Sequence, residues 1–291
     1  MIMIGESELI VNDDGTIFHL HLKPEQVAGT VILVGDPGRV SMISGMFSST
    51  EFTVSNREFV TVTGSYNGNR VTVLSTGIGT DNIDIVVNEL DALVNIDLGK
   101  RKILPERRSL RIVRIGTSGG LQGDTPVNSW IVSRKSMGFD GMLTFYEGLD
   151  GVCDLPLEKA FREYIAWPES LPRPYVVDAS PLLLKKFSKA PFIQGVNISA
   201  PGFYGPQGRV LRLGLALPGL NDRLEKFSFG GLKITNYEME SSAIYGLSRM
   251  LGHDALTVCL LIANRITRGA NESYHAEMEK LVHAVLDTLF E

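Results

Sequence analysis

Two carboxylates flank a methionine at residues 238–240, between a short apolar segment and a helical pattern. A carboxylate such as Glu238 or Glu240 accepts hydrogen bonds from neighbouring hydroxyl groups, and the thioether of Met239 packs against the apolar face of a ring. The three residues therefore indicate a sugar-binding site. The alternative is an ordinary helix start, where the helix dipole favours acidic residues.

Three glycine-rich turns follow three apolar segments: GDPGR at 35–39, STGIGT at 75–80 and RIGTSGG at 114–120. Glycine lets backbone amides approach an anion closely. Arg39, Arg114 and Thr117 add the guanidinium and hydroxyl donors that suit a phosphate group. None of the turns matches the P-loop pattern or GxGxxG. Each is compatible with an ordinary turn or surface arginine when taken alone, but three at one sheet edge favour a phosphate site.

Segments with the periodicity of strands alternate with segments that have the periodicity of helices. Strands are predicted at 30–34, 52–62, 70–74, 111–115, 130–133, 192–199, 232–237 and 256–262. Helices are predicted from about 40, at 83–94, 157–166, 180–187 and 243–251, and from 272 onward with Asn271 as its cap. Residues 95–109 are charged and suggest a surface excursion. No repeat or linker divides the chain, so we predict one α/β domain over residues 1–291, with a central mixed sheet flanked by helices.

Composition excludes several classes of protein. The net charge of -5 argues against a general nucleic-acid binder. Two cysteines, Cys153 and Cys259, do not make a disulfide framework and fit a reducing compartment. The N-terminus lacks the basic flank of a secretory signal, and the longest apolar run, 255–263, is shorter than the ~20 residues that span a membrane. We therefore expect a cytoplasmic protein with neither nucleic-acid nor membrane partners.

The histidines, cysteines and serines do not form a pattern typical of a metal site or of a catalytic nucleophile. His19 and His21 alternate with apolar residues, which predicts one strand face and a spacing that metals use. No third ligand accompanies them, so no metal site is expected. Cys259 and the serines lack a neighbouring base, and GxSxG is absent. A covalent nucleophile is therefore not expected.

Eight short motifs occur in order along the chain. They are FHL (18–20), GDPGRV (35–40), NREF (56–59), STGIGT (75–80), RIGTSG (114–119), FYGPQGR (203–209), NYEMES (236–241) and ANR (263–265). The set resembles the uridine phosphorylases of the nucleoside phosphorylase family, which builds trimers or hexamers from dimers. The resemblance covers residues 18–265. It implies a nucleoside phosphorylase-like fold and the reversible phosphorolysis of uridine to uracil and ribose 1-phosphate, a step of pyrimidine salvage.

The resemblance also implies roles for individual residues. Phosphate contacts are implied for Gly35, Arg39, Arg57, Arg114 and Thr117. Ribose contacts are implied for His19, Glu238, Met239 and Glu240. Base contacts are implied for Phe203, Gln207, Arg209, Ile262 and Arg265. Among these, the residues expected to act in catalysis are Arg114, Glu240 and Arg209.

A second copy of the chain is implied as a partner, in a homodimer or hexamer. His19 and Arg57 are expected to reach the ribose and phosphate of the neighbouring subunit's site. No cofactor is expected, since inorganic phosphate is a co-substrate. An interface potassium ion near Glu58 stays open, because Asp81 and Asn82 stand where common family members carry Pro-Ser.

The base pocket separates the possible substrates. Purine-cleaving relatives place an aspartate after the last strand to protonate the purine N7, whereas this chain has Ala263, Asn264 and Arg265 there. A uracil anion leaves without that proton, and Gln207 and Arg209 can pair with its carbonyl groups. Uridine is therefore the expected substrate. The alternatives are a purine or broad-specificity nucleoside phosphorylase and a non-catalytic nucleoside-binding protein. Phe203, Gln207 and Arg209 are also compatible with packing and solvated loop positions.

Overall fold

The computed structural model describes residues 3–291. Its strands are β1 Thr30–Val34, β2 Ser49–Asn56, β3 Phe59–Tyr66, β4 Asn69–Ser75, β5 Ile96–Asp97, β6 Lys102–Ile103, β7 Arg111–Gly120, β8 Trp130–Gly138, β9 Tyr175–Asp178, β10 Phe192–Ser199, β11 Ser228–Phe229, β12 Leu232–Glu238 and β13 Asp254–Asn264. Its helices are α1 Pro37–Ser44, α2 Thr80–Asn95, α3 Leu155–Ile165, α4 Pro181–Lys186, α5 Leu220–Lys226, α6 Ser241–Leu251 and α7 His275–Phe290.

One mixed sheet organises the molecule, in the order β11-β12-β10-β8-β13-β7-β1-β4-β3-β2, with β9 beside β8. Parallel pairs join β1 to β4 and β7, β13 to β7, and β10 to β8 and β12. At its end β12 also pairs with β7 through Asn236↔Gly120, so that five strands close into a ring. The predicted α/β fold with a central mixed sheet flanked by helices is confirmed.

Helices cover the sheet through apolar faces that the sequence spacing predicts. The buried face of α2 consists of Ile83, Val86, Val87, Leu90, Leu93 and Val94. The buried face of α7 consists of Met278, Leu281, Val282, Val285, Leu286 and Leu289. β1 is buried along its whole length, as its continuous apolar run indicates. The carboxyl ends of the parallel strands are therefore held at one rigid edge, where ligands of open α/β sheets bind.

The predicted strand 52–62 is wrong, because the chain turns between β2 and β3. Arg57 occupies the left-handed region with φ 55°, and the two strands pair as a hairpin through Asn56↔Phe59. A turn of this kind usually carries glycine or asparagine. The β-type alternation on both sides of the turn, in FTVS at 52–55 and VTV at 60–62, concealed it.

The predicted strand face shared by His19 and His21 is also wrong. His21 has φ 56°, and the two rings lie in a turn with separate partners. His19 Nδ1 is 2.6 Å from Glu89 Oε1, whereas His21 Nε2 is 3.2 Å from Asp14 Oδ2.

Two further differences concern the C-terminal helix and the charged excursion. α7 begins at His275, not at 272, and Asn271 does not cap it but accepts a hydrogen bond from the Ser273 amide at 3.0 Å. Residues 95–109 form a small separate hairpin of β5 and β6. Among residues 3–291, no helix is long and apolar enough to cross a membrane.

Candidate active site

A cavity of about 590 Å³ opens at the carboxyl ends of β1, β4, β7, β12 and β13. Twelve of the fourteen predicted site residues line it: Gly35, Arg39, Arg114, Thr117, Phe203, Gln207, Arg209, Glu238, Met239, Glu240, Ile262 and Arg265. They come from five separate segments of the chain, which explains why no single motif describes the site.

Two arginines face each other at one end of the cavity. Arg39 lies on α1, directly after the turn that follows β1, and its Nη1 atom donates to the carbonyl of Ile115 at 3.2 Å. Burial and the positive charge of Arg114 lower the pKa of Arg39. Two buried guanidinium groups whose charges repel each other form a site for a doubly charged anion.

The guanidinium of Arg114 packs against Gly116 of the same strand. Arg114 lies on β7, and a Cβ atom on Gly116 would be 1.9 Å from its Nη1 atom. The absence of a side chain at Gly116 therefore gives the guanidinium its place along the strand. Burial opposes the charge of Arg114, but Glu240 and Glu238 outweigh it and raise the pKa. The Cys259 thiol lies behind, 3.5 Å from Nη1, and burial raises its pKa to about 12.

The carboxylate of Glu240 occupies the middle of the cavity wall. Its Oε1 atom accepts from the Gly79 amide at 2.8 Å, and its Oε2 atom accepts from Arg114 Nη2. The residue stands directly before α6. Burial raises the pKa of Glu240, Arg114 lowers it and the nearby Glu238 raises it again, with a net upward shift.

Glu238 ends β12 and makes different contacts from those of Glu240. Its Oε1 atom accepts from Asn197 Nδ2 at 2.7 Å and from Ser199 Oγ. Its Oε2 atom accepts from the main-chain amides of Glu240 and Ser241, both at 2.9 Å. Although Glu238 lines the cavity, its hydrogen bonds go to the protein.

The opposite end of the cavity is built around a buried amide. The Oε1 atom of Gln207 accepts from Arg209 Nη1 at 2.8 Å and from Arg265 Nη2 at 3.0 Å, which leaves its NH₂ group as the free donor. Arg209 also lies over the Phe203 ring, 3.5 Å from the centroid. Burial and the charge of Arg265 lower the pKa of Arg209 to about 10.

Two predicted residues lie outside this cavity. His19 is held by Glu89 of α2, and Arg57 stands 5.7 Å from the ring centroid of Phe18. Both belong to one surface patch with Asn56, whose side chain donates to the His19 carbonyl at 2.8 Å. Glu58, also exposed, lies beside Gly77: its Cγ atom is 3.4 Å from the position of a Cβ on that glycine.

Several lining residues were not predicted individually. Gly77, Ile78, Ser118 and Gly119 belong to the glycine-rich turns and could have been included from those motifs. Tyr274 could not, since it enters from the segment directly before α7, which belongs to none of the motifs. Asn264 lies between the predicted base residues Ile262 and Arg265, and its side chain is fully hydrogen-bonded within the protein. Its amide nitrogen donates to the carbonyls of Gln122 and Thr125, and its amide oxygen accepts from two main-chain amides.

The arrangement combines three kinds of group in one cleft. The arginines and glycine turns at one end can bind an anion, the carboxylate in the middle can accept from hydroxyl groups, and the amide with two arginines at the other end can pair with a polar ring. Such a cavity can hold an anion and a polar cyclic ligand side by side.

Comparisons with known proteins agree with this architecture. The chain is 29% identical over 263 residues to a uridine phosphorylase of Thermococcus kodakarensis, covering 88% of this chain and 80% of the relative. It is 26% identical over 262 residues to a DeoD-type purine nucleoside phosphorylase of Listeria monocytogenes, covering 88% and 90%. The crystal structure of a Trypanosoma brucei nucleoside phosphorylase, described as showing uridine phosphorylase activity, superposes with a TM-score of 0.87 at 29% identity, covering 97% of this chain and 99% of that one.

The family resemblance of the ordered motifs is thereby confirmed. The model of the phosphorylase superfamily matches residues 30–290, which include both ends of the cavity and the carboxylates between them. This chain belongs to the phosphorylase superfamily.

Proposed function

We propose that the protein is a uridine phosphorylase. The observation that carries the proposal is the grouping of Arg39, Arg114 and Glu240 in one cavity whose far wall is the Gln207–Arg209–Arg265 cluster. In the reaction, an oxygen of inorganic phosphate forms a bond to C1′ of the ribose while the bond from C1′ to N1 of uracil breaks. The electron pair of that bond leaves with the uracil, which is then protonated, and the sugar leaves as ribose 1-phosphate.

Phosphate is assigned to the end of the cavity formed by Gly35, Arg39, Arg114 and Thr117. The two guanidinium groups balance its charge and aim one oxygen at the sugar. Holding two reactants in attack geometry supplies a large part of a barrier, up to ~7–11 kcal/mol. Arg114 acts at the reacting centre because it lies between the phosphate end and Glu240.

Glu240 and Met239 are assigned to the ribose. Positive charge develops on the sugar as the base leaves, and a carboxylate close to the ring stabilises it. The same carboxylate accepts hydrogen bonds from the ribose hydroxyls, which fixes the orientation of C1′ towards the phosphate.

Uracil is assigned to the wall formed by Phe203, Gln207, Arg209, Ile262 and Arg265. The free donor of Gln207 and the guanidinium of Arg209 suit the carbonyl oxygens on which the negative charge of the departing base collects. Because the Gln207 oxygen already accepts two hydrogen bonds, the amide faces a ligand as a donor. A wall of this kind rejects bases that leave its buried groups unpaired.

A second copy of the chain is part of the proposal. His19 and Arg57 lie outside the cavity of their own chain, on one surface patch, as expected of residues that complete a neighbour's site. The proposed assembly is a homodimer or a hexamer built from such dimers. An interface potassium ion near Glu58 belongs to the same proposal, and no other cofactor is invoked.

The runner-up is a purine or broad-specificity nucleoside phosphorylase, favoured by the similarity to the Listeria protein. Against it, the end of β13, where a purine proton donor is expected, carries Asn264, whose amide is fully hydrogen-bonded. Incubation with phosphate and either uridine or inosine separates the two. We expect uracil release from uridine; hypoxanthine release without uracil release would assign the runner-up, and nucleoside binding without turnover would assign a binding protein.

A further inference from the structure

The carboxylate of Glu238 has no hydrogen-bond position left for a substrate. A carboxylate offers about four acceptor positions. Asn197 and Ser199 take two of them on Oε1, and the main-chain amides of Glu240 and Ser241 take two on Oε2. The family resemblance implies that Glu238 binds the ribose. In the structure, its carboxylate instead accepts hydrogen bonds from other groups of the protein.

We propose that Glu238 is a positioning residue, held by Asn197 and Ser199, which fixes the main chain at Glu240 and so aims the Glu240 carboxylate into the cavity. The inference rests on the proposed function, since it assigns the role of one part of the same site. Neither Asn197 nor Ser199 lines the cavity, and both are completely buried.

Strand register brings the two holding residues to Glu238. β10 runs parallel to β12, with Ser199 opposite Glu238 and Asn197 opposite Asn236. Side chains of alternate residues share a face of a strand, so Asn197 and Ser199 point the same way. Glu238 is thereby held from the neighbouring strand on one oxygen and from the start of α6 on the other.

The hydroxyl of Ser199 has a defined direction. It carries one proton, and it accepts a hydrogen bond from the Ser242 amide at 2.9 Å. Its proton therefore goes to Glu238 Oε1. Since Ser242 lies in the first turn of α6, Ser199 holds the carboxylate and the helix start together, with Glu240 between them.

Glu240 depends on this support because its own contacts come from elsewhere. Its side chain reaches across to the Gly79 amide and to Arg114, on two other segments. A small rotation of the main chain at Glu240 would break both contacts. Active-site groups keep their geometry when the residues behind them are held by hydrogen bonds.

The first test compares Ser199→Ala with Ser136→Ala. Ser136 is equally buried and lies 3.3 Å from the Ser199 hydroxyl, but it does not contact Glu238. We expect Ser199→Ala to raise the KM for uridine by about tenfold, the scale of one lost hydrogen bond to a charged group. The KM for phosphate is expected to change less than the KM for uridine, because Arg39 and Thr117 do not contact Ser199 and only Arg114, whose Nη1 atom is 3.5 Å from Glu238 Oε2, connects the two ends of the cavity. Ser136→Ala should leave both values close to wild type.

A second test separates positioning from direct contact. Isothermal titration of uridine into Glu240→Ala and into Ser199→Ala/Glu240→Ala should give dissociation constants within about twofold, because Ser199 acts only through the side chain of Glu240. If Glu238 and its partners instead contact the sugar, the full tenfold loss persists in the Glu240→Ala background and overturns the proposal.

Crystal structures of the wild type and Ser199→Ala provide a readout that needs no activity. The proposal expects the Glu240 carboxylate to leave hydrogen-bond distance of the Gly79 amide in the variant, with α6 otherwise in place. An unmoved Glu240 overturns the positioning role. Failure of wild-type protein to bind or cleave uridine would reject the proposed function instead, and the crystallographic comparison would still decide the role of Ser199.

Discussion

Arg114 donates a hydrogen bond from Nη2 to Glu240 Oε2, so the two charged groups nearest the proposed reacting centre form an ion pair. Both are almost completely buried, with exposed fractions of 5% and 3%. Each is also expected to bind a different substrate, Arg114 the phosphate and Glu240 the ribose. The ion pair therefore keeps both charges compensated until the substrates replace it.

Replacement of Arg114 by alanine is expected to affect both phosphate use and stability. Loss of the guanidinium should raise the KM for phosphate at least about 100-fold, since a buried charge-assisted contact is removed. It also leaves Glu240 and Glu238 buried without a counter-charge, which costs about 3–5 kcal/mol of unfolding free energy. Steady-state kinetics and urea unfolding measure the two effects.

Arg39→Ala is the matched control, because Arg39 contacts the Ile115 carbonyl and no carboxylate. It should impair phosphate use with a smaller loss of stability than Arg114→Ala. Unchanged phosphate kinetics in Arg114→Ala would remove that residue from the site.

Gly116→Ala is expected to act like a mild loss of Arg114. The new Cβ would meet Arg114 Nη1 at 1.9 Å and force the guanidinium out of its ion pair. We expect a rise of about tenfold or more in the phosphate KM, given that one displaced charged contact is worth ~1.5–3 kcal/mol. Gly119→Ala is the control, since its Cβ would approach the flexible end of Arg265 at 3.0 Å and should chiefly alter the uridine KM. Equal effects of both changes on phosphate would contradict the assignment.

Protonation of Glu240 should move activity and stability in opposite directions. Burial raises the folded-state pKa of Glu240 above its ordinary value of 4.5, despite Arg114. As pH falls through the raised pKa, the carboxylate takes up a proton and uridine turnover declines. The folded state binds that proton more tightly than the unfolded chain, so this group stabilises the fold most below 4.5 and loses that contribution as pH rises through its folded pKa.

The difference between wild type and Glu240→Gln isolates this effect from other carboxylates. Unfolding free energy measured between pH 4 and 8 should show wild type losing stability relative to the variant as pH rises. A difference that is independent of pH would mean that Glu240 keeps an ordinary pKa.

Gln207→Ala should impair uridine more than phosphate. The amide oxygen links Arg209 and Arg265, so its removal frees both guanidiniums as well as removing the donor that faces the base. We expect the uridine KM to rise about 10–100-fold, the range for buried polar contacts left unpaired. Arg212→Ala, at an exposed position of the same loop, should stay near wild type. An equal rise in the phosphate KM would argue against a wall specific to the base.

Mixed oligomers test the sharing of sites between subunits. If Arg57 completes the neighbour's site, Arg57→Ala and Arg114→Ala each have very low activity at a phosphate concentration near the wild-type KM, but a mixed dimer of the two contains one site with both arginines intact. Random reassembly after unfolding should then restore about a quarter of wild-type activity per subunit. Absence of recovery in a sample shown to contain mixed dimers would place Arg57 outside the site.

The position of the cavity was predictable because its groups lie on or directly after strands. Gly35 directly follows β1, Arg114 lies within β7 and Glu240 stands two residues after the end of β12, and the carboxyl ends of neighbouring parallel strands meet at one edge of the sheet. To predict that these groups lie together, it was enough to identify the apolar segments as strands, which their continuous apolar runs indicate.

Features that depend on contacts distant in sequence were not predictable in this way. Tyr274 enters the cavity from the start of α7, and nothing near it in the sequence marks a site. The side chains that donate to Glu238 Oε1, Asn197 and Ser199, lie on β10, and the register of β10 against β12 is set only in the folded sheet. The turn at Arg57 was missed because a non-glycine residue adopts φ 55°.

The loop between β10 and α5 supplies Phe203, Gln207 and Arg209, whereas phosphate and sugar are assigned to groups anchored at strand ends. Changes in the proposed base preference are therefore expected when this loop is replaced, with the groups assigned to phosphate and ribose left in place. Engineering of new nucleoside substrates should begin with that exchangeable segment, using the rest of the framework unaltered.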